Sequence, residues 1–196
     1  MHFFTDKTVS KDDLKKLVKD KKLLFMKQTH SDIVEVVDEN YTPKECDAMI
    51  TKDSRVALVV VVADCNPVII KDSKQRAVGV AHAGRVGSYK SIVKKTILKM
   101  HKEFGLNLKD LEIYFGPSIK RCCYEVGSEV IDSFEEFIHK KNGKTYLDLI
   151  ELNLKDLNEL GVKKVEVDPT CTCCNKDYFS YRRDKTKKRF FGVVSL

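Results

Sequence analysis

Short apolar runs rich in β-branched residues recur along the chain and alternate with stretches whose apolar residues fall three and four apart. The first kind predicts strands at Leu23–Met26, Ile33–Val37, Val56–Val62, Val68–Ile70, Val78–Ala81, Leu111–Phe115, Val162–Val167 and Phe190–Val194. The second predicts helices. Val93, Ile97, Met100 and Phe104 form one apolar stripe that stops at Gly105, a residue suited to the left-handed end of a helix. Val130, Phe134 and Phe137 repeat the spacing behind Ser128 as an N-cap, and Ile150, Leu154 and Leu157 do so before Gly161. Strands and helices alternate without strict βαβ order. The expected fold class is therefore α/β, a mixed α+β sheet packed by helices, in a single domain spanning residues 1–196.

A chain of 196 residues, 42% of them hydrophobic, can build one full core. Its longest apolar run, Val56–Ala63, is far short of a membrane span, and Met1 to Leu17 is charged from the outset without a secretory pattern. The expected setting is cytoplasmic, with no membrane partner. The 36 Lys+Arg against 29 Asp+Glu give a net charge of +7, but basic residues are interleaved with acids. That predicts a mild attraction for anionic substrates rather than a nucleic-acid footprint. The competing reading is a non-catalytic module that uses the Arg182–Arg189 run to bind RNA or DNA, with steep salt dependence. Nothing in the pattern sets an oligomeric state.

Seven cysteines, an odd number, are expected to stay reduced in that setting and to serve as buried residues, ligands or nucleophiles rather than as a disulfide framework. Cys122 and Cys123 are adjacent and do not readily bridge each other. Cys171 and Cys174 have CxxC spacing, but no second CxxC completes a four-cysteine site, which favours small buried thiols in a tight turn.

Three reactive side chains fall where predicted strands end. Asp64, Cys65, Asn66 and Pro67 follow the run Val56–Ala63, and Pro67 is expected to turn the chain there. His82, Ala83 and Gly84 follow Val78–Ala81, with a helix expected shortly after Gly87 whose start offers amides to an anion. Gln28, Thr29, His30 and Ser31 follow the first strand. His30, Cys65 and His82 together form a possible His₂Cys set; zinc accepts both donor types, and three protein ligands leave its fourth position open. Such a metal acidifies water toward a pKa of ~7. The three are distant in sequence, so no local zinc spacing supports them, and a strand-end histidine serves equally as a hydrogen-bonded structural residue. A metal-free alternative makes Cys65 a nucleophile with His82 as its base. Arg182 and Arg183, beside Tyr178, Phe179 and Tyr181, are candidates to grip phosphate and stack a base.

Seven segments occur in one order along the chain: Lys27-Gln28-Thr29-His30, Asp47-Ala48-Met49-Ile50-Thr51, Ala63-Asp64-Cys65-Asn66-Pro67, Ala81-His82-Ala83-Gly84, Gly116-Pro117-Ser118-Ile119, Cys122-Cys123-Tyr124-Glu125-Val126-Gly127 and Phe179-Ser180-Tyr181-Arg182-Arg183-Asp184. Together they resemble the laccase-domain, or multicopper polyphenol oxidase, family, whose members are also called purine nucleoside phosphorylases or peptidoglycan editing factors. The resemblance runs from Lys22 to Leu196. It implies a mixed α/β fold related to cysteine-hydrolase-like toxins and a metal site on His30, Cys65 and His82. With only five histidines in the chain, the ligand set is thin for a copper cluster, which favours zinc while leaving copper possible.

The activity implied is phosphorolysis of adenosine, inosine, guanosine and methylthioadenosine, with deamination of adenosine. Purine nucleosides and inorganic phosphate are then the partners. The alternative is a cysteine- or metal-dependent amidase that edits peptidoglycan precursors, which would share Cys65 and His82. Asp64 is expected to accept a proton or to orient a ligand, and Arg85, Arg182 and Arg183 to hold phosphate. The chain departs from the family where Ala-His-Ala-Gly is followed by Trp-Arg-Gly, for it has Arg85-Val86-Gly87 instead, and Ser31 stands where the Gln-x-His segment continues with glycine.

Overall fold

A strand that is apolar at every position needs cover on both faces. The computed structural model, which describes residues 1–196, shows what supplies it. In chain order the elements are β1 (His2–Phe4), α1 (Lys11–Leu17), β2 (Lys22–Phe25), β3 (Val34–Val36), β4 (Ala48–Thr51), β5 (Val56–Val62), β6 (Asn66–Asp72), β7 (Val78–Ala83), α2 (Arg85–Tyr89), α3 (Ile92–Phe104), β8 (Leu111–Phe115), α4 (Ser128–Phe134), β9 (Ile138–Lys141), β10 (Lys144–Leu147), α5 (Leu149–Glu159), β11 (Lys164–Val167), α6 (Tyr181–Asp184) and β12 (Phe190–Val194).

Two mixed sheets carry the fold. One has the order β1-β12-β5-β2 and the other β11-β8-β6-β7-β4-β3, while β9 and β10 form a separate hairpin. Alternation along β5 shows how the layers stack. Val56, Leu58, Val60 and Val62 join Met49, Ile69, Val78 and Val80 of the larger sheet in one cluster, so they lie between the sheets. Ala57 and Val59 point the other way, onto Leu14 of α1 and the neighbouring Val18. The far face of the larger sheet is sealed by α3 and α5, whose Val93, Ile97, Met100 and Leu157 pack on Ile50, Val68, Ile70 and Ile113. The expected mixed α+β architecture with helix-packed sheets is what forms. No helix is long and apolar enough to cross a membrane.

Several boundaries differ from the sequence reading for identifiable reasons. The helix predicted to stop at Gly105 does so, with Gly105 at φ 64° and its amide on the His101 carbonyl. By contrast, α1 buries only Leu14, so it has no stripe for periodicity to detect; its capping box, Ser10 with Asp13, is the signal that was there. Gly127 rather than Ser128 caps α4. β4 is four residues long and wholly buried, too short to alternate. Pro67 does not turn the chain: it is the second residue of β6, ahead of Val68 where pairing with β8 begins. The reversal comes earlier, at Asp64, whose φ of 93° lies in a region side chains rarely adopt.

Candidate active site

The end of β5, the reversal at Asp64 and the start of β6 leave Cys65 at one end of the two facing sheets. His82, in β7, sits in register opposite Pro67 of β6, which brings it beside Cys65. His30 arrives from the loop after β2 with φ 61°. Its Nε2 is 3.8 Å from Cys65 Sγ, and its ring meets that of His82 edge-on at 4.8 Å between centroids. The three ligand atoms of His30, Cys65 and His82 all lie within 4.8 Å of one another. The structure thus brings together the trio picked from strand ends.

What holds them is Asp47, a fully buried carboxylate just before β4. Its Oδ1 accepts from the His30 amide at 3.1 Å and pairs with His82 Nδ1 at 2.7 Å. Its Oδ2 accepts from the amides of Thr29 at 3.1 Å and Ser31 at 2.6 Å and from the Ser31 hydroxyl at 2.7 Å. Three consecutive amides on one carboxylate fix the left-handed backbone at His30. The bond to Nδ1 leaves His82 Nε2 as the free ring nitrogen. Burial pushes Asp47 up, but hydrogen bonds from His82 and Ser31 hold it well below the usual carboxylate range.

Burial also raises the Cys65 thiol, yet the charge of His82 and the contact with His30 outweigh it and bring it down to about 6. The reciprocal holds for His82: burial lowers it, while Cys65 and Asp47 lift it to about 9. The metal-free protein therefore carries a thiolate beside an imidazolium. A divalent cation would replace the proton they share, and two imidazoles with one thiolate suit zinc with one position left open. The remaining histidines lie elsewhere: His2 stacks on Tyr114, His101 Nδ1 meets the Leu106 carbonyl and His139 pairs with Glu151. The donors fit one ion and not a copper cluster.

Gly84 is required by this geometry. A Cβ there would lie 3.0 Å from both Cys65 Sγ and His30 Cδ2. Its φ of −77° suits any residue, so Gly84→Ala is expected to fold normally and to weaken metal binding by at least ~10-fold through displaced ligands. Competition with a chromophoric chelator measures this; unchanged affinity would place the ion elsewhere.

A cavity of about 590 Å³ opens over the trio, with Tyr124, Tyr181, Arg182, Lys185 and Arg189 in its walls. Asp64 lines it too, but does not orient a metal ligand. Its Oδ1 accepts from Thr172 Oγ1 at 2.7 Å and its Oδ2 from the Arg182 amide at 2.6 Å, so Asp47 has the role expected of Asp64. Arg182 lies over the Tyr124 ring at 5.1 Å and donates to the Glu125 carbonyl at 2.7 Å. Arg183 is not a phosphate holder. Its guanidinium is spent on the carbonyls of Thr172, Cys173, Asn175 and Tyr178 and on Asp184, knitting the tail together. Arg85 is exposed at the start of α2, close enough to Tyr124 to oppose the rise that burial imposes on that hydroxyl. The helix expected after Gly87 does form, as α3 from Ile92, but the turn directly behind His82 is taken by α2, Arg85–Tyr89, which is too short to offer an anion site at its N-terminus. Asp47, Tyr124, Lys185 and Arg189 were missed by residue-level reading. For Asp47 the signal was its place at the head of the Asp47–Thr51 segment.

The family profile described as multi-copper polyphenol oxidoreductase laccase matches residues 10–196. The chain belongs to this family. Among relatives of this laccase-domain protein, a purine nucleoside phosphorylase of Clostridium acetobutylicum is 38% identical over 179 residues, covering 87% of this chain and 75% of that one. A purine nucleoside phosphorylase of Aquifex aeolicus is 39% identical over 170 residues, covering 86% and 80%. The crystal structure of Bacillus licheniformis hypothetical protein YfiH superposes with a TM-score of 0.90 at 26% identity, over 100% of the laccase-domain chain and 92% of YfiH.

Proposed function

We propose that this laccase-domain protein is a metal-dependent purine nucleoside phosphorylase, working as one enzyme domain in the cytoplasm. One observation carries the reading: a single cavity, sized for a nucleoside, sets two tyrosines and three cationic side chains over the His30–Cys65–His82 centre. The names of the relatives point the same way. The proposed substrates are adenosine, inosine, guanosine and methylthioadenosine, with deamination of adenosine as a second activity.

His30, Cys65 and His82 would hold the metal, for which zinc is favoured. Bound there, it supplies Lewis acidity and lowers the pKa of water toward ~7. The protein's own residues do the positioning. Tyr124, held by Arg182 against its ring, and Tyr181 flank the purine. Arg182, Lys185 and Arg189 neutralise phosphate, whose oxygen forms a bond to C1′ as the glycosidic bond breaks; the departing purine takes up the proton the phosphate gives up, leaving free base and ribose 1-phosphate, or its 5-methylthio analogue from methylthioadenosine. In deamination, water replaces the amino group at C6, giving inosine and ammonia.

Incubating purified, metal-loaded protein with adenosine, with and without phosphate, tests this. Adenine release that requires phosphate is the expected result. Metal-loaded protein that releases no base from any of the four nucleosides would overturn it. The depressed Cys65 thiol beside His82 favours one second reading, an amidase acting on peptidoglycan precursors through a thiolate. Hydrolysis of serine-containing cell-wall precursors by a nucleoside-inert protein would select it.

A further inference from the structure

The cysteines outside the catalytic centre do not sit as isolated buried thiols. One turn, closed by the Cys123 and Tyr124 amides on the Lys120 carbonyl, carries Cys122 and Cys123. A second, closed by the Asn175 amide on the Cys171 carbonyl, carries Cys171 and Cys174. The two turns are joined by a parallel bridge between Ser118 and Cys171, with the Thr172 amide on the Ser118 carbonyl. Across that bridge, Cys174 Sγ stands 3.8 Å from Cys122 Sγ and 3.2 Å from Cys123 Sγ, and all four sulfurs lie within 4.8 Å of one another. A tetrahedron with metal–sulfur bonds of ~2.3 Å has sulfur–sulfur edges of about 3.8 Å, so the cluster is already near the size a bound ion sets.

We propose that Cys122, Cys123, Cys171 and Cys174 form a second, closed metal site that takes one thiophilic divalent cation of the zinc class. The second CxxC that the sequence lacks is supplied by an adjacent pair on another turn. Binding forms four sulfur–metal bonds as four thiol protons leave to solvent, with no change of oxidation state. Four protein ligands leave no open position, which is the mark of a structural rather than a catalytic ion.

The surroundings agree. The Lys120 amide points at Cys171 Sγ at 3.5 Å. Four crowded thiols cannot ionise together unless a cation neutralises them.

The site's position gives it a task. Its first turn presents Tyr124 to the cavity and the Cys123 carbonyl to Arg182 at 3.3 Å. Its second turn presents Thr172 to Asp64 and the carbonyls of Thr172 and Cys173 to Arg183. An ion joining the two turns would pin the wall on which the purine is held.

The test is metal content by mass spectrometry after zinc reconstitution under reducing conditions. Wild-type protein is expected to bind two zinc ions per chain and Cys65→Ala protein one. Cobalt put into Cys65→Ala should show strong thiolate-to-metal charge-transfer absorption, which the His₂Cys centre cannot supply once its thiolate is gone. Cys171→Ser with Cys174→Ser should lose that ion; if this variant does not fold, the count and spectrum of Cys65→Ala still decide. A Cys65→Ala chain that binds no zinc and no cobalt overturns the proposal. So does an ion on Cys65→Ala protein that stays bound when Cys171→Ser and Cys174→Ser are added. Neither readout involves nucleosides, so failure of the phosphorylase reading leaves this one standing.

Discussion

Replacing Cys65 with alanine is expected to strip the ion from the His30–Cys65–His82 centre and to lower nucleoside turnover by at least ~10³-fold, about 4 kcal/mol of barrier. The thiolate is the only anionic donor of the three, and its charge is the largest of the effects that lift His82 to about 9, Asp47 being the other. Two imidazoles alone form a much weaker site. Losing a residue that merely orients a ligand already costs ~10–100-fold in affinity, so losing a ligand should exceed that. The fold should survive, because Cys65 is only partly buried and the change deletes a single sulfur; against metal-free wild type, which removes the stabilisation the ion itself gives, melting should move by no more than ~1 kcal/mol equivalent. Metal content, melting and initial rates on one preparation check all three parts. Metal-free Cys65→Ala protein that turns over normally would remove the centre from the reaction. A second variant separates the metal from the thiolate: Cys65→His should restore some metal in either case, with some turnover if the ion acts and none if the thiolate is a nucleophile.

How much of this was legible in the sequence depends on how far each signal reaches along the chain. Cys65 and His82 could be found because each follows a run of buried residues long enough to mark where a strand gives out. His30 was findable for the same reason, but its left-handed backbone was not, since the amide acceptor that permits it lies at Asp47. Arg182 and Arg183 are neighbours in a basic run and look interchangeable. Only the fold shows that one lines the cavity while the other is consumed by four carbonyls. The four-sulfur cluster was hidden by spacing. Its halves are about 50 residues apart, and an adjacent cysteine pair suggests no ligand geometry until a second turn is brought against it. Periodicity found α3 and α5 because they seal a sheet along an apolar stripe, and passed over α1, which buries one leucine.

Asp47→Asn should be the most damaging single change in the protein after loss of a ligand. The carboxylate accepts five hydrogen bonds while fully buried, and an amide side chain offers one acceptor oxygen and an NH₂ that faces donors. Each buried donor left without a partner costs ~1–3 kcal/mol, and the strained backbone at His30 loses what holds it. Breaking the buried pair with His82 brings the expected loss to about 3–5 kcal/mol, with metal affinity falling ~10–100-fold as His82 loses its orienting partner. In the metal-free protein this loss depends on pH. His82 is raised above its unfolded value of 6.5, by Cys65 first and by Asp47 second, so the Asp47 pair's share is complete below pH 6.5 and disappears as pH rises through about 9. Asp47 is held down, so the same contribution needs pH above the unfolded carboxylate value of 3.8. It is one ion pair seen from both partners and counts once. Denaturant melts of metal-free wild-type and Asp47→Asn protein at pH 5.5 and pH 9.5 should therefore differ more at the lower pH. Equal differences at both would mean that Asp47 acts only through the amides of Thr29, His30 and Ser31, and that the charge on His82 contributes nothing to holding the site.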